Sequence, residues 1–183
     1  MKIRLAAQLQ LDSIVDGAGI RTVIWTQGCS HNCKGCHNPE THDFNGGYEL
    51  DVEDIKKKID ELIGQDGITF SGGDPMFQPE ACNEIAIYAK NKGLNIWCYT
   101  GFTYEKLIEM SKTKPIYKEF LNNIDVLIDG PFVLSKKSLD CIFRGSTNQR
   151  LIDPKKSLMT GNVELITKYD RKNKNEKKEC IFI

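Results

Sequence analysis

Three cysteines stand within eight residues, Cys29, Cys33 and Cys36, in the run Gln27-Gly28-Cys29-Ser30-His31-Asn32-Cys33-Lys34-Gly35-Cys36-His37-Asn38. Three thiolates on one short loop can wrap three corners of a cubane iron–sulfur cluster. The loop carries no fourth Cys, so one iron would stay open to a further ligand, and an open iron implies chemistry rather than structure. Gly28 and Gly35 would let the backbone bend closely around the metal. Zinc takes thiolates too, but a structural zinc site closes with four protein ligands. His31, His37 or His42 would have to supply the fourth. A disulfide with a spare thiol fits less well, because seven cysteines without a signal-peptide pattern argue for a reducing compartment.

Other residues invite chemical readings. Gly72-Gly73 brings bare backbone close to a ligand, and its carbonyls can accept hydrogen bonds from an ammonium group. Asp74 adds a negative charge that helps hold such a group. Val15-Asp16-Gly17-Ala18-Gly19-Ile20-Arg21 lacks the third glycine of a dinucleotide fingerprint and leads into a strand rather than a helix. Arg21 would either fork onto a carboxylate or pair with a structural acid. Cys82, Cys98 and Cys141 are isolated and read as small buried hydrophobes, while Cys180 reads as an exposed thiol.

These residues need a frame. Strands are expected at Thr22–Thr26, Gly67–Phe70, Leu94–Tyr99 and Ile124–Ile128, which are β-branched, aromatic or apolar. A helix is expected from Asp51 to Ile63, where Val52, Ile55, Ile59 and Leu62 make one stripe and Asp51 is placed to cap. Two more are expected, from Pro79 to Asn91, stopping near Gly93, and from Thr103 to Met110. Strand and helix in alternation imply a parallel sheet with right-handed crossovers. A full eight-fold barrel takes about 250 residues, so 183 residues predict a single α/β domain built as an open partial barrel with a mostly parallel sheet. Ligands of such folds bind at the C-terminal strand ends. The Cys loop, Ser71-Gly72-Gly73-Asp74-Pro75, Thr100-Gly101 and Asp129-Gly130-Pro131 follow the four strands, so all four are expected on one rim. Thr100 and Asp129 thereby become candidate ligand contacts, Asp129 alternatively through a cation.

Composition excludes some classes. Lys plus Arg equals Asp plus Glu at 25 each, so the overall field steers toward neither nucleic acid nor anionic lipid. No apolar run reaches the length of a membrane span, and the expected location is the cytoplasm. The catalytic domain is expected over 1–167, with 168–183 a charged, mobile tail whose last four residues only superficially match a prenylation box.

Together these residues resemble the radical S-adenosylmethionine superfamily. Cys29, Cys33 and Cys36 resemble its cluster motif, and Gly72-Gly73-Asp74-Pro75 its methionine-binding loop. Within it, Val15 to Arg21, Asp43 to Gly47, Tyr99 to Phe102, Asp125 to Phe132 and Phe143 to Arg150 resemble the glycyl-radical-enzyme activases, most closely those serving the anaerobic (class III) ribonucleoside-triphosphate reductase. Ala18, Gly35 and His42 depart from patterns common among relatives, and none is a ligand position. The resemblance implies a 4Fe–4S cluster on the three Cys and S-adenosylmethionine on the fourth iron. It also implies a flavodoxin-like electron donor and a glycine on the partner reductase as the target. No general acid–base pair is expected, because the cofactor carries the hard chemistry. A pyruvate formate-lyase-type activase and a non-catalytic zinc-binding interaction module stand as the alternatives.

Overall fold

The computed structural model describes residues 1–170. In chain order its elements are β1 (Lys2–Leu5), β2 (Gln10–Ser13), β3 (Arg21–Thr26), β4 (Tyr48–Asp51), α1 (Val52–Asp60), β5 (Gly67–Gly72) and α2 (Pro79–Asn91). There follow β6 (Asn95–Tyr99), α3 (Tyr104–Ser111), α4 (Ile116–Asn123), β7 (Val126–Asp129), β8 (Arg150–Ile152) and α5 (Pro154–Thr160).

The expected strands form the centre of one sheet. β3, β5, β6 and β7 lie side by side and parallel. β1 and β2 pair antiparallel with the outer edge of β3, β4 continues beyond β1, and β8 pairs antiparallel with β7. The sheet ends at β4 and β8 and does not close on itself. The parallel α/β centre and the open outline follow the expectation. The antiparallel flanks do not, because β1, β2, β4 and β8 are three or four residues long and carry mixed burial. Such short edge strands give little periodic signal. α4 and α5 were likewise unforeseen.

Strand alternation sends the two faces of the sheet to different tasks. One face presents Ile24, Phe70, Cys98 and Leu127 to the helices, where they join Val52, Ile55, Ile85, Leu107 and Phe120 in the main core. Phe70 and Phe120 meet edge to face at 5.6 Å. The other face presents Trp97, Val126, Ile128 and Leu151 at its lower end, with Phe143 and Tyr169 packed against them. Higher on that face, Trp25, Ser71 and Tyr99 line a cavity.

Boundaries follow local chemistry. α1 starts after Asp51, whose backbone is extended but whose side chain makes no cap bond, and it ends at Asp60, so Ile63 is exposed. α2 has the expected limits, and Gly93 takes the left-handed conformation just beyond it. Thr103 caps α3 by accepting from the Lys106 N–H. Arg21 answers neither expectation for it. It is buried and donates to Thr69 Oγ1, the Asn95 side chain and the backbone oxygens of Ala18, Ile68 and Asn95, with its guanidinium 5.2 Å over Trp97. The folded body also reaches past residue 167, because Tyr169 packs on Trp97 and Phe143, and Asp170 pairs with Arg144. The rest of the expected tail, Cys180 included, lies outside the described residues. Among the described residues no helix is long and apolar enough to cross a membrane.

Candidate active site

β3 delivers the chain to the rim at Thr26, and the cysteine loop begins there. The loop is closed by main-chain bonds from Gly28 N–H to the Thr41 oxygen at 2.8 Å and from Cys29 N–H to the His42 oxygen at 3.1 Å. Inside it, Cys36 N–H reaches the Cys33 oxygen at 3.0 Å. Gln27 braces the far side by donating to the backbone oxygens of Glu40 and Asp43. Cys29, Cys33 and Cys36 are free, half-buried thiols.

The second loop is knitted to the first. Gly73 N–H donates to the Thr26 oxygen at 2.7 Å, and Asp74 N–H to the Gly28 oxygen at 3.0 Å. The contact is so close that a Cβ on Gly73 would lie 2.5 Å from that Gly28 oxygen. Gly72 turns with a φ of +101°, open to glycine at little cost.

Cys29, Cys33, Cys36, Gly72, Gly73 and Thr100 all line one cavity of about 420 Å³ at the C-terminal rim of the parallel strands. Gly130 joins them from the loop after β7, so all four expected loops contribute to its wall.

Two of the candidate carboxylates face elsewhere. Asp74 is 1 % exposed and does not line the cavity. Its Oδ1 accepts from Met76 N–H at 2.9 Å, and its Oδ2 accepts from His31 Nε2 at 2.7 Å and from Thr100 Oγ1 and Gly101 N–H at 2.9 Å. Asp129, also buried, is gripped by Arg150 and accepts from Tyr104 N–H at the start of α3. The Asp129 carboxylate joins β7, β8 and α3, and the residue does not line the cavity. The Thr100 hydroxyl is committed to Asp74, although the residue itself stays on the cavity wall.

Sequence reasoning passed over other wall residues. Tyr99 and Trp25 face the cavity by simple strand alternation, a period-two signal that was available. Arg144 also lines it, and among the described residues no Lys or other Arg shares that wall. Val15 and Asp16 arrive from the loop before β3. Cys82 and Cys98 are buried, with thiols pushed well up by desolvation, and serve as small core residues. Cys141 is half-buried rather than buried.

The donor set fits a three-thiolate cluster. Burial pushes the Cys29 thiol up to about 11, opposed in part by the His31 backbone N–H, so metal binding there must release a proton. Among the described residues no three His, Cys, Asp or Glu side chains gather around a single metal position. A cubane asks something different, since each thiolate binds its own iron at a separate corner. Of the histidines considered for zinc, His31 is bound to Asp74 and His37 packs on Phe132 at 5.0 Å.

Comparison with known proteins agrees with this site. A family model described as a 4Fe-4S single cluster domain matches residues 15–152. The anaerobic ribonucleoside-triphosphate reductase-activating protein of Salmonella typhi is 35 % identical over 144 residues, covering 74 % of this chain and 90 % of the relative. The protein of the same name from Escherichia coli K12 is 37 % identical over 145 residues, with the same coverage. The crystal structure of QueE from Escherichia coli aligns over 56 % of this chain and 54 % of its own, at 15 % identity and a TM-score of 0.45, too remote to argue from. With most of the chain matched by relatives and by a cluster-domain model, the chain belongs to the family of anaerobic ribonucleoside-triphosphate reductase-activating proteins and carries a 4Fe–4S cluster domain.

Proposed function

We propose that this chain is a radical S-adenosylmethionine activase that installs the glycyl radical on an anaerobic ribonucleoside-triphosphate reductase. The observation that carries the reading is the convergence of Cys29, Cys33, Cys36 and the Gly72-Gly73 backbone on one cavity. Cys29, Cys33 and Cys36 would hold the cluster, which when bound would supply the one-electron chemistry that cleaves S-adenosylmethionine for hydrogen abstraction from a glycine of the reductase.

The residues of this chain bind, orient and shield. Three cysteines leave one iron without a protein ligand, where the methionine amino and carboxylate groups would chelate. The bare backbone of Gly72 and Gly73 offers carbonyls to the ammonium end. Asp74 acts from beneath that backbone. Its charge favours a cation in the cavity while its oxygens stay hydrogen-bonded within the protein. Thr100 would contact the ligand through its methyl group or carbonyl, because its hydroxyl is engaged. Trp25 and Tyr99 wall the cavity with aromatic surface that excludes water from a radical. A flavodoxin-like protein would supply the electron, and a reducing cytoplasm suits three free thiols.

The test is anaerobic reconstitution with iron and sulfide, followed by dithionite reduction and electron paramagnetic resonance with and without S-adenosylmethionine. A reduced 4Fe–4S signal that changes on adding S-adenosylmethionine, with 5′-deoxyadenosine formed, supports the reading. One tightly held zinc and no cluster would overturn it.

A further inference from the structure

His31 sits between Cys29 and Cys33 on the cavity wall, with its Nε2 turned to Asp74. Its Nε2 lies 2.7 Å from Asp74 Oδ2, a hydrogen bond between ring and carboxylate. The same oxygen accepts from Thr100 Oγ1 and Gly101 N–H, so one buried carboxylate oxygen joins the loops that follow β3, β5 and β6. The imidazole is held on its other sides as well. It meets Phe102 edge-on at 4.5 Å and Phe77 at 5.8 Å. It also fills the space beside Gly101, where a Cβ would come within 2.4 Å of the ring. At its backbone, the His31 N–H points to the Cys29 sulfur. One residue thus contacts a cluster-ligand sulfur through its main chain and the glycine loop through its ring.

We propose that His31 is a positioning residue that locks the cysteine loop against the Gly72-Gly73 loop, and so sets where the open iron stands relative to the ammonium site of S-adenosylmethionine. This deepens the function given above and rests on it. Three thiolates alone define a cluster corner by corner, but they do not fix its distance from a second loop. The main-chain bond from Asp74 to Gly28 holds the root of the cysteine loop. The His31–Asp74 bond holds its middle. A charge-assisted bond of this kind to a buried carboxylate is among the stronger single tethers available.

The experiment compares wild type with His31→Leu, His31→Gln and Gly101→Ala. Leu keeps bulk and removes the donor. Gln places an amide nitrogen at a similar reach. The Ala at 101 leaves the imidazole in the chain but displaces it by a clash. In the metal-free protein, alkylation of Cys29, Cys33 and Cys36 by iodoacetamide reports whether the loop is held. In the reconstituted protein, iron and sulfide content, together with a resonance titration by S-adenosylmethionine, reports whether cluster and ligand are in register.

His31→Leu and Gly101→Ala should alkylate faster without metal and should still take up iron and sulfide. They should need about tenfold to a hundredfold more S-adenosylmethionine for the spectral change, as fits the loss of one hydrogen bond to a charged group. His31→Gln should stay within about threefold of wild type, the spread usual for such interactions. Should His31→Leu not fold, Gly101→Ala carries the same comparison. Equal alkylation rates and equal titrations in all four proteins would overturn the proposal, as would a His31→Gln protein that behaves like His31→Leu. A wild type that forms no cluster, or does not respond to S-adenosylmethionine, would instead fail the functional reading. The alkylation comparison would then still decide whether His31 holds the loop.

Discussion

Arg150 holds Asp129 with two bonds, Nε to Oδ1 at 2.9 Å and Nη2 to Oδ2 at 2.5 Å, and the carboxylate it holds is 1 % exposed. The same guanidinium forks onto Glu105 at 3.0 and 2.8 Å. One side chain from β8 thus ties β7 to the first turn of α3. Replacing Arg150 by Met would leave the buried Asp129 charge without its partner. The expected cost is about 3 kcal/mol, the low end for a broken buried pair because Arg150 itself is about a third exposed. Denaturant unfolding of the metal-free chain measures it, and an unchanged midpoint would show that Asp129 is satisfied by other means.

The pH dependence follows from the other arm of the fork. The Arg150 hydrogen bonds hold the Glu105 carboxyl down to about 2, against an ordinary value of 4.5. A depressed carboxylate contributes stability that is present above pH 4.5 and is lost as pH falls toward 2. The effect is small, because Glu105 is more than half exposed. Unfolding midpoints of Glu105→Gln should therefore fall less steeply than those of wild type across this window, and parallel curves would refute the assignment.

Cys33→Ala should lose the brown absorbance and the bound iron after reconstitution, since two thiolates cannot hold a cubane against competition. Full iron, sulfide and activity in that variant would remove the cysteine loop from the mechanism.

Gly73→Ala tests the stitch between the two loops. Its Cβ would meet Gly28 carbonyl oxygen at 2.5 Å and carbonyl carbon at 2.9 Å, backbone that cannot move without carrying the cysteine loop with it. The expected destabilisation is about 1–3 kcal/mol, accompanied by poorer cluster uptake. Gly64→Ala is the control. Unlike Gly73 it has a positive φ, +71°, and a Cβ there would meet nothing within 4 Å. It should cost about 1 kcal/mol and leave iron content unchanged. Equal iron loss in both variants would show that a general loss of stability, not the contact with Gly28, is what matters.

Much of this molecule was legible in the chain. The proposed cluster ligands are local: Cys29, Cys33 and Cys36 stand within eight residues and line one cavity, so the proposal could be read from their spacing. The central parallel strands and α2 were legible for a similar reason. Strands buried on both faces need continuous apolar runs such as Thr22–Thr26 and Ile124–Ile128, and a long helix needs a clear start and stop. From strand order alone, the four loops could be expected on one rim.

Tertiary structure decided what the side chains on that rim do. Asp74, Thr100 and Asp129 have residue types suited to binding a ligand, and nothing local to them reveals that His31, Thr100 and Gly101 bond to the Asp74 carboxylate and Arg150 to that of Asp129. Those partners lie between 21 and 43 residues away in sequence, apart from the short-range bonds around Thr100 and Met76. Arg21 shows the same principle, since a cation that looked destined for an acid is satisfied by a threonine, an asparagine and backbone carbonyls from β5 and β6. A hydrogen bond between distant segments depends on how helices and strands pack, and that packing is set by the whole core rather than by the neighbours of any one residue.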